Sequence, residues 1–307
     1  MNSNPENGDI RFSLKHFPSI QLSMAALTLL ILTLALPASG QSLLWEAKSD
    51  TATVYLFGSV HYAKSDMYPL DAVVEDSFEK SSALVLELDP LNMDQVQVMQ
   101  AIMEKGMYPD DKTIRDEISS EVFATLEEYI ESTGLPMSAF IKMKPALLSI
   151  TLSTLKMTQL GYAPEQGIDM YFALKASGKK PILELESVAE QMDLLFNLPD
   201  ANLFLKYSIE DVSKSDDQIE GIIDAWRKGN AEMMNTLAIE EPLQQHPELG
   251  ALMDEILFKR NRRMAEKIRG YLSDNKTYFL VVGAAHLVGD RGLVKLIEKA
   301  GYKVRKF

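Results

Sequence analysis

Four short apolar runs stand out along the chain: Thr53-Val-Tyr-Leu-Phe57, Ala83-Leu-Val-Leu-Glu-Leu88, Pro181-Ile-Leu-Glu-Leu185 and Tyr278-Phe-Leu-Val-Val282. Near-continuous runs of this length suit strands covered on both faces, because a half-exposed strand would alternate. The stretches between them carry helical spacing. Leu147, Ile150, Leu155 and Leu160 recur down one predicted helix that ends near Gly161. A second is predicted from about Pro247 to Leu272, with Leu249, Leu252, Met253, Ile256 and Leu257 on its apolar face. Strands at both ends with helices between predict one α/β domain over residues 41–307. Its central sheet is mixed or mostly parallel, flanked by helices and interrupted by a large helical insertion.

The N-terminus has a different pattern. Residues 1–23 are polar, with Arg11, Lys15 and His16, and Met24 to Leu36 is an uncharged apolar run. Pro37-Ala38-Ser39-Gly40 then supplies small residues ahead of Gln41. That order is the layout of an export signal, so residues 1–40 read as a signal peptide and the mature chain as periplasmic or secreted. The apolar run is short of the roughly 20 residues that span a bilayer. An uncleaved N-terminal anchor is the alternative.

Composition narrows the chemistry. The 307 residues include 44 acidic and 31 basic side chains, a net charge of −13. This balance argues against a nucleic-acid partner, which needs a basic surface to neutralise phosphates. Cysteine is absent, which removes disulfides, thiolate nucleophiles and cysteine-ligated metals. No Gly-x-Ser-x-Gly elbow occurs either, which disfavours a standard serine nucleophile. Sixteen methionines are spread without a dense Met/His cluster, so they read as core or groove lining.

Four histidines remain. His16 lies in the leader and His246 in a polar turn. His61 and His286 occupy matching contexts, Gly58-Ser-Val-His61 and Gly283-Ala-Ala-His286, each directly after a predicted strand. If both strands run the same way in one sheet, both imidazoles reach the rim beyond their carboxyl ends, where α/β folds bind ligands. Glu87, at the end of a third strand, brings a carboxylate to the same rim. Glu184 or Glu186 would add a fourth group.

The series Gly58-Ser-Val-His61, Val85-Leu-Glu87-Leu, Leu185-Glu186 with Gln191, Arg260-Asn261 and Val282-Gly-Ala-Ala-His286-Leu-x-Gly289 resembles the TraB/GumN family, which includes the Tiki proteins. Gly289-Asp-Arg-Gly292-Leu and the terminal Ala300-Gly-Tyr302-Lys-Val extend the likeness over roughly residues 50 to 306. The resemblance implies a fold related to the erythromycin-esterase and ChaN-like proteins, with His61, Glu87 and His286 at its centre. It also implies a divalent-metal-dependent peptidase acting on a peptide or protein substrate. Two imidazoles and a carboxylate suit Mn, Co or Zn and leave positions open for water. Glu87 serves either as a third ligand or as a general base off the metal. Arg260 is expected to join the catalytic set by binding a substrate carboxylate or developing negative charge. Asn261 and Ser59 are expected to contact substrate, and Glu186 to contact it, to pair with Arg260 or to join the metal shell. Two rival readings share these residues: a metal-independent esterase-like hydrolase, and a non-catalytic protein that sequesters peptides.

Overall fold

The computed structural model describes residues 42–214 and 216–307. The leader assigned to residues 1–40 lies outside the described residues. Among those described, no helix is long and apolar enough to cross a membrane.

The chain opens with β1 (Leu44–Lys48), β2 (Thr53–Ser59), α1 (Ala72–Lys80) and β3 (Ala83–Leu86). Then come α2 (Gln95–Ala101), α3 (Ser120–Ser132), α4 (Pro145–Gln159) and α5 (Ile168–Ala176), ahead of β4 (Ile182–Glu184). Three helices follow, α6 (Val188–Phe196), α7 (Ala201–Val212) and α8 (Asp216–Arg227), then short helical pieces up to α9 (Lys259–Leu272). The chain closes with β5 (Thr277–Gly283), α10 (Ala284–Leu287), α11 (Leu293–Lys299) and β6 (Lys303–Lys306). The sheet order is β4-β3-β5-β2-β1-β6. Strands β2 to β5 are mutually parallel where they pair, and β1 joins β2 and β6 antiparallel. The expected α/β class is therefore observed, with a mixed sheet.

Three expectations change in detail. Strands β1 and β6 have no counterpart among the predicted strands. The helix expected from Pro247 to Leu272 is broken, with a 3-10 turn at Pro247–Leu249 and a π-helical turn at Asp254–Phe258 before α9 begins. The helical insertion comes from both sides of β4. Ile114, Leu126 of α3, Leu148 of α4 and Leu205 of α7 close a second apolar core apart from the one at the sheet.

The main core is aromatic where it supports the site. Phe57 of β2, Phe279 of β5, Phe78 of α1 and Phe172 of α5 pack with Phe172–Phe279 centroids 4.8 Å apart and Phe78–Phe172 centroids 5.1 Å apart. This cluster fixes α5 against the ends of β2 and β5. The Trp226 indole N–H donates to the Gly58 carbonyl at 2.7 Å and ties α8 to the same strand. Replacing Phe172 with alanine should therefore destabilise the fold by about 3–5 kcal/mol in urea unfolding. Leu174→Ala, on the same helix but 58% exposed, should change stability by no more than about 0.5 kcal/mol. Equal effects of the two substitutions would refute the role given to the aromatic cluster.

Candidate active site

Parallel pairing of β2 with β5 sets Ser59 opposite Gly283. Two residues past Ser59 the chain reaches His61, and three past Gly283, inside α10, it reaches His286. β3 lies on the other side of β5 and ends at Leu86, so Glu87 is delivered beside them. Gly283 marks the meeting point. A Cβ built there would lie 3.5 Å from Glu87 Oε1, 3.5 Å from His61 Nε2 and 3.6 Å from His286 Cδ2. These contacts bound the separation of the two imidazoles, at those atoms, at about 7 Å.

Each imidazole is held through its Nδ1. His286 is 4% exposed, and its Nδ1 lies 2.5 Å from Asn261 Oδ1. The Asn261 amide nitrogen donates to the Arg291 carbonyl at 2.9 Å, so the amide oxygen must face the ring. An amide oxygen only accepts, which places the His286 proton on Nδ1 and leaves Nε2 with a free lone pair. That Nε2 stands 3.8 Å from Glu87 Oε1. Burial pushes the His286 pKa down to about 4, so the ring is neutral near pH 7. His61 Nδ1 is 2.9 Å from Asp169 Oδ2, and Ser59 donates its hydroxyl to the other Asp169 oxygen at 2.9 Å. The Asp169 carboxylate pushes the His61 pKa up to about 9. Although neighbouring atoms crowd the ring, 61% of its side-chain surface is open to solvent, so water screens this pair.

Glu87 and Glu186 share one cation. Backbone pairing of β3 and β4 continues past both strands, with the Glu186 N–H donating to the Glu87 carbonyl at 3.0 Å. Arg260, near the start of α9, then lays its guanidinium across both side chains. Its Nε donates to Glu186 Oε1 at 2.9 Å and its Nη2 to Glu87 Oε2 at 2.5 Å and Glu186 Oε2 at 2.6 Å. Glu87 Oε1 accepts the Gly283 N–H at 2.8 Å. Burial by itself raises the Glu87 pKa. His286, Arg260, His61 and the Gly283 N–H outweigh it and hold the carboxyl down at about 2. Of these, the Arg260 charge persists when His286 is neutral.

The expected residues thus gather in one place, with the polar atoms of Arg260, Ser59, Glu186 and Asn261 already engaged. Arg260 was expected to meet substrate anions, but its fork is engaged by Glu186 and Glu87. Ser59 and Asn261 were expected to touch substrate, and Glu186 to do so, to pair with Arg260, as it does, or to join the metal shell. Ser59, Glu186 and Asn261 are 2%, 5% and 0% exposed, and their polar atoms are spent on Asp169, Arg260 and His286. The order of the motifs left Asp169 out. Its only sequence signal is Gly167-Ile-Asp169 at the start of α5. A Cβ on Gly167 would sit 2.3 Å from the His61 carbonyl oxygen, so glycine there lets α5 approach the His61 loop. Glu184 instead accepts the Asp89 N–H at 2.7 Å.

The two imidazoles should titrate far apart. In chelator-treated protein, NMR of the ring nitrogens should show His61 protonated well above pH 7 and His286 neutral down to about pH 4. Because the folded pKa of His61 is raised, the stability it contributes is complete below about pH 6.5 and is lost as pH rises through about 9. Asp169→Asn should return His61 toward about 6.5. An unchanged His61 pKa in that variant would contradict the pairing.

The model of the TraB/PrgY/gumN family matches residues 43–306. "Uncharacterized protein YbaP" of Escherichia coli (strain K12) is 24% identical over 246 residues, which cover 80% of this chain and 87% of that protein. "Metalloprotease TIKI homolog" of Nematostella vectensis is 22% identical over 318 residues, covering 86% and 66%. "Metalloprotease TIKI1" of Homo sapiens is 20% identical over 325 residues, covering 86% and 61%. No solved structure matches. With its model matched from β1 to β6 and its motifs gathered around Gly283, the chain belongs to the TraB/PrgY/gumN family.

Proposed function

We propose that the protein is an exported, divalent-metal-dependent peptidase acting through His61, Glu87 and His286. The observation that carries this reading is the convergence of two imidazoles and one ionised carboxylate around Gly283. The printed name of the Tiki relatives, metalloprotease, supports it.

The donor set fits a metal in chemistry. Asp169 and Asn261 each occupy an Nδ1, as the outer partners of ligating histidines do; the His286 Nε2 is free to ligate, and the His61 Nε2 would ligate by exchanging its proton for the metal. The 3.8 Å between His286 Nε2 and Glu87 Oε1 is near the roughly 3.3 Å expected of two donors sharing one ion. Among the described residues no three His, Asp or Glu side chains are already closed into a metal-binding group, so binding would have to draw them together. His61, His286 and Glu87 would hold Mn, Co or Zn. A bound ion would polarise the scissile carbonyl and lower the pKa of water.

The remaining work falls to the chain itself. Arg260 and the Gly283 N–H keep Glu87 ionised. A carboxylate so stabilised is a weak proton acceptor, which favours Glu87 as ligand over Glu87 as base. Glu186 orients Arg260, and Asn261 keeps His286 in the tautomer that can ligate. The His61–Asp169 pair at 2.9 Å favours one second reading, a metal-independent hydrolase with His61 as base. Ser59 donates to Asp169 and not to His61, so it is not aligned as the nucleophile of such an enzyme.

Metal analysis of the purified protein should find one Mn, Co or Zn per chain, lost in both His61→Ala and His286→Ala together with cleavage of an unstructured peptide. Asn261→Ala should weaken metal affinity or activity roughly 10–100-fold. Stoichiometric metal in both histidine variants would defeat the ligand set, and cleavage that resists chelators would establish the metal-independent reading. Export makes a separate prediction: N-terminal sequencing of protein from the producing cells should begin at Gln41. A retained Met1 would establish the uncleaved anchor.

A further inference from the structure

Charge is distributed unevenly along this acidic chain. From Lys259 to Phe307 there are 13 basic and 4 acidic residues, a net of +9, which leaves −22 on the rest. Much of this positive charge belongs to α9, α11 and β6, which are packed in series. Among the described residues, several of its cations contact carbonyls and no carboxylate. Lys267 donates to the Leu185 carbonyl, Lys299 to the Asp290 carbonyl and Lys306 to the Gly229 carbonyl, and none of these neutralises charge.

Between α9 and α11 runs a groove of about 380 Å³. Arg262, Arg263 and Arg269 rim it, and Ala265, Leu296 and Ala300 supply its apolar lining. The three guanidinium side chains are about half exposed. Arg269 engages Glu266, the one acid on the rim, at 2.9 Å, and Arg262 lies 3.5 Å from Asp254; both are exposed pairs that water screens and that a ligand carboxylate can replace. Arg263 belongs to the groove and to the active site at once, since its Nη2 lies 3.8 Å from Glu186 Oε1. One end of the groove therefore lies beside Glu186, which holds Arg260. From Arg262 to Arg269 the helix rises about 10 Å, the length of roughly three residues of extended peptide.

We propose that this groove docks an acidic segment of the polypeptide substrate, next to the bond presented at His61, Glu87 and His286. The proposal rests on the peptidase reading of that site. Guanidinium groups bind carboxylates through paired N–H donors, and an apolar lining accommodates the intervening side chains. The strongly acidic remainder of the molecule repels such a segment, so the field itself guides it to the basic face. Continuity with Glu186 favours a substrate segment over a membrane or a second copy of the chain, the other anionic partners this face would attract.

The test uses the full chain and three fluorescein-labelled peptides of equal length, alternating Ala with Glu, Gln or Lys. Fluorescence anisotropy should show the Glu peptide bound on the order of tenfold tighter than the Gln peptide at low salt, an advantage lost as ionic strength rises. Arg262→Gln and Arg269→Gln should abolish the advantage, while Lys112→Gln, between α2 and α3 and outside the groove lining, should leave it intact. Equal binding of the Glu and Gln peptides, or an advantage untouched by both arginine variants, overturns the proposal. So does tighter binding to phosphatidylglycerol vesicles that depends on the same arginines, or a salt-sensitive dimer that they abolish. Binding is read without cleavage, so the two claims separate. Glu-peptide binding without metal-dependent cleavage removes the peptidase and keeps the docking groove, whereas cleavage with no acidic preference removes the groove alone.

Discussion

A carboxylate taken out of water must be paired, and the site is organised around how Glu87 is paired. An unpartnered buried ion costs several kcal/mol even after relaxation. Glu87 and Glu186 are brought side by side by the continuation of β3–β4 pairing, which would be worse than either acid by itself. Arg260 resolves both at once, its planar fork reaching each carboxylate. That demand fixes where α9 must start. Asn261, next along α9, is thereby placed under His286, and Arg263 one turn later beside Glu186. The ion pair thus sets the position of a helix as well as the charge of a side chain.

The second constraint is the β2–β5 register. Because Ser59 lies opposite Gly283, two histidines separated by most of the chain arrive at the same rim. Glycine at 283 keeps the space between them clear, where any side chain would intrude on all three functional groups. Glycine at 58 serves the packing underneath, since a Cβ there would meet the Ala284 Cα at 3.1 Å. The recurring Gly-x-x-His therefore has two different physical causes in its two copies: one glycine admits a backbone, the other opens the site.

Legibility in the sequence follows burial. β2, β3 and β5 announce themselves because parallel strands covered on both faces become unbroken apolar runs, whereas β4, a half-buried edge strand, shows only through its short Ile182-Leu183 pair. β1 carries Trp45, Glu46 and Lys48, and the edge strand β6 reads Lys-Val-Arg-Lys, with alternating exposure; neither makes such a run. The late helix was legible as apolar spacing, but its π-helical turn keeps nearly the same spacing and hides the break. His61, Glu87 and His286 were visible because charged or scarce residues at the ends of apolar strands need a reason to be there. Asp169 was not visible. An acid in the first turn of a helix has an ordinary explanation in the helix dipole, and its partner His61 is 108 residues away. The partners of Ser59 and Asn261 are hidden for a related reason: sequence marks a polar residue near a site without showing which way its atoms are spent.

The two halves of the site are unequal. The side chains of His286 and Glu87 are 6% and 10% exposed, clamped by Asn261, Arg260 and a backbone N–H. The His61 side chain is 61% exposed, with Asp169 as its hydrogen-bond partner. Solvent therefore reaches the cluster from the His61 side, against a wall whose charges and tautomer are already set. A rigid, desolvated wall strengthens electrostatic interactions at the reacting atoms because its dipoles need no reorganisation. An exposed opposite side lets a large polypeptide approach without the fold opening. On the proposed peptidase reading, that division puts order where charge must be held and access where an extended chain must enter.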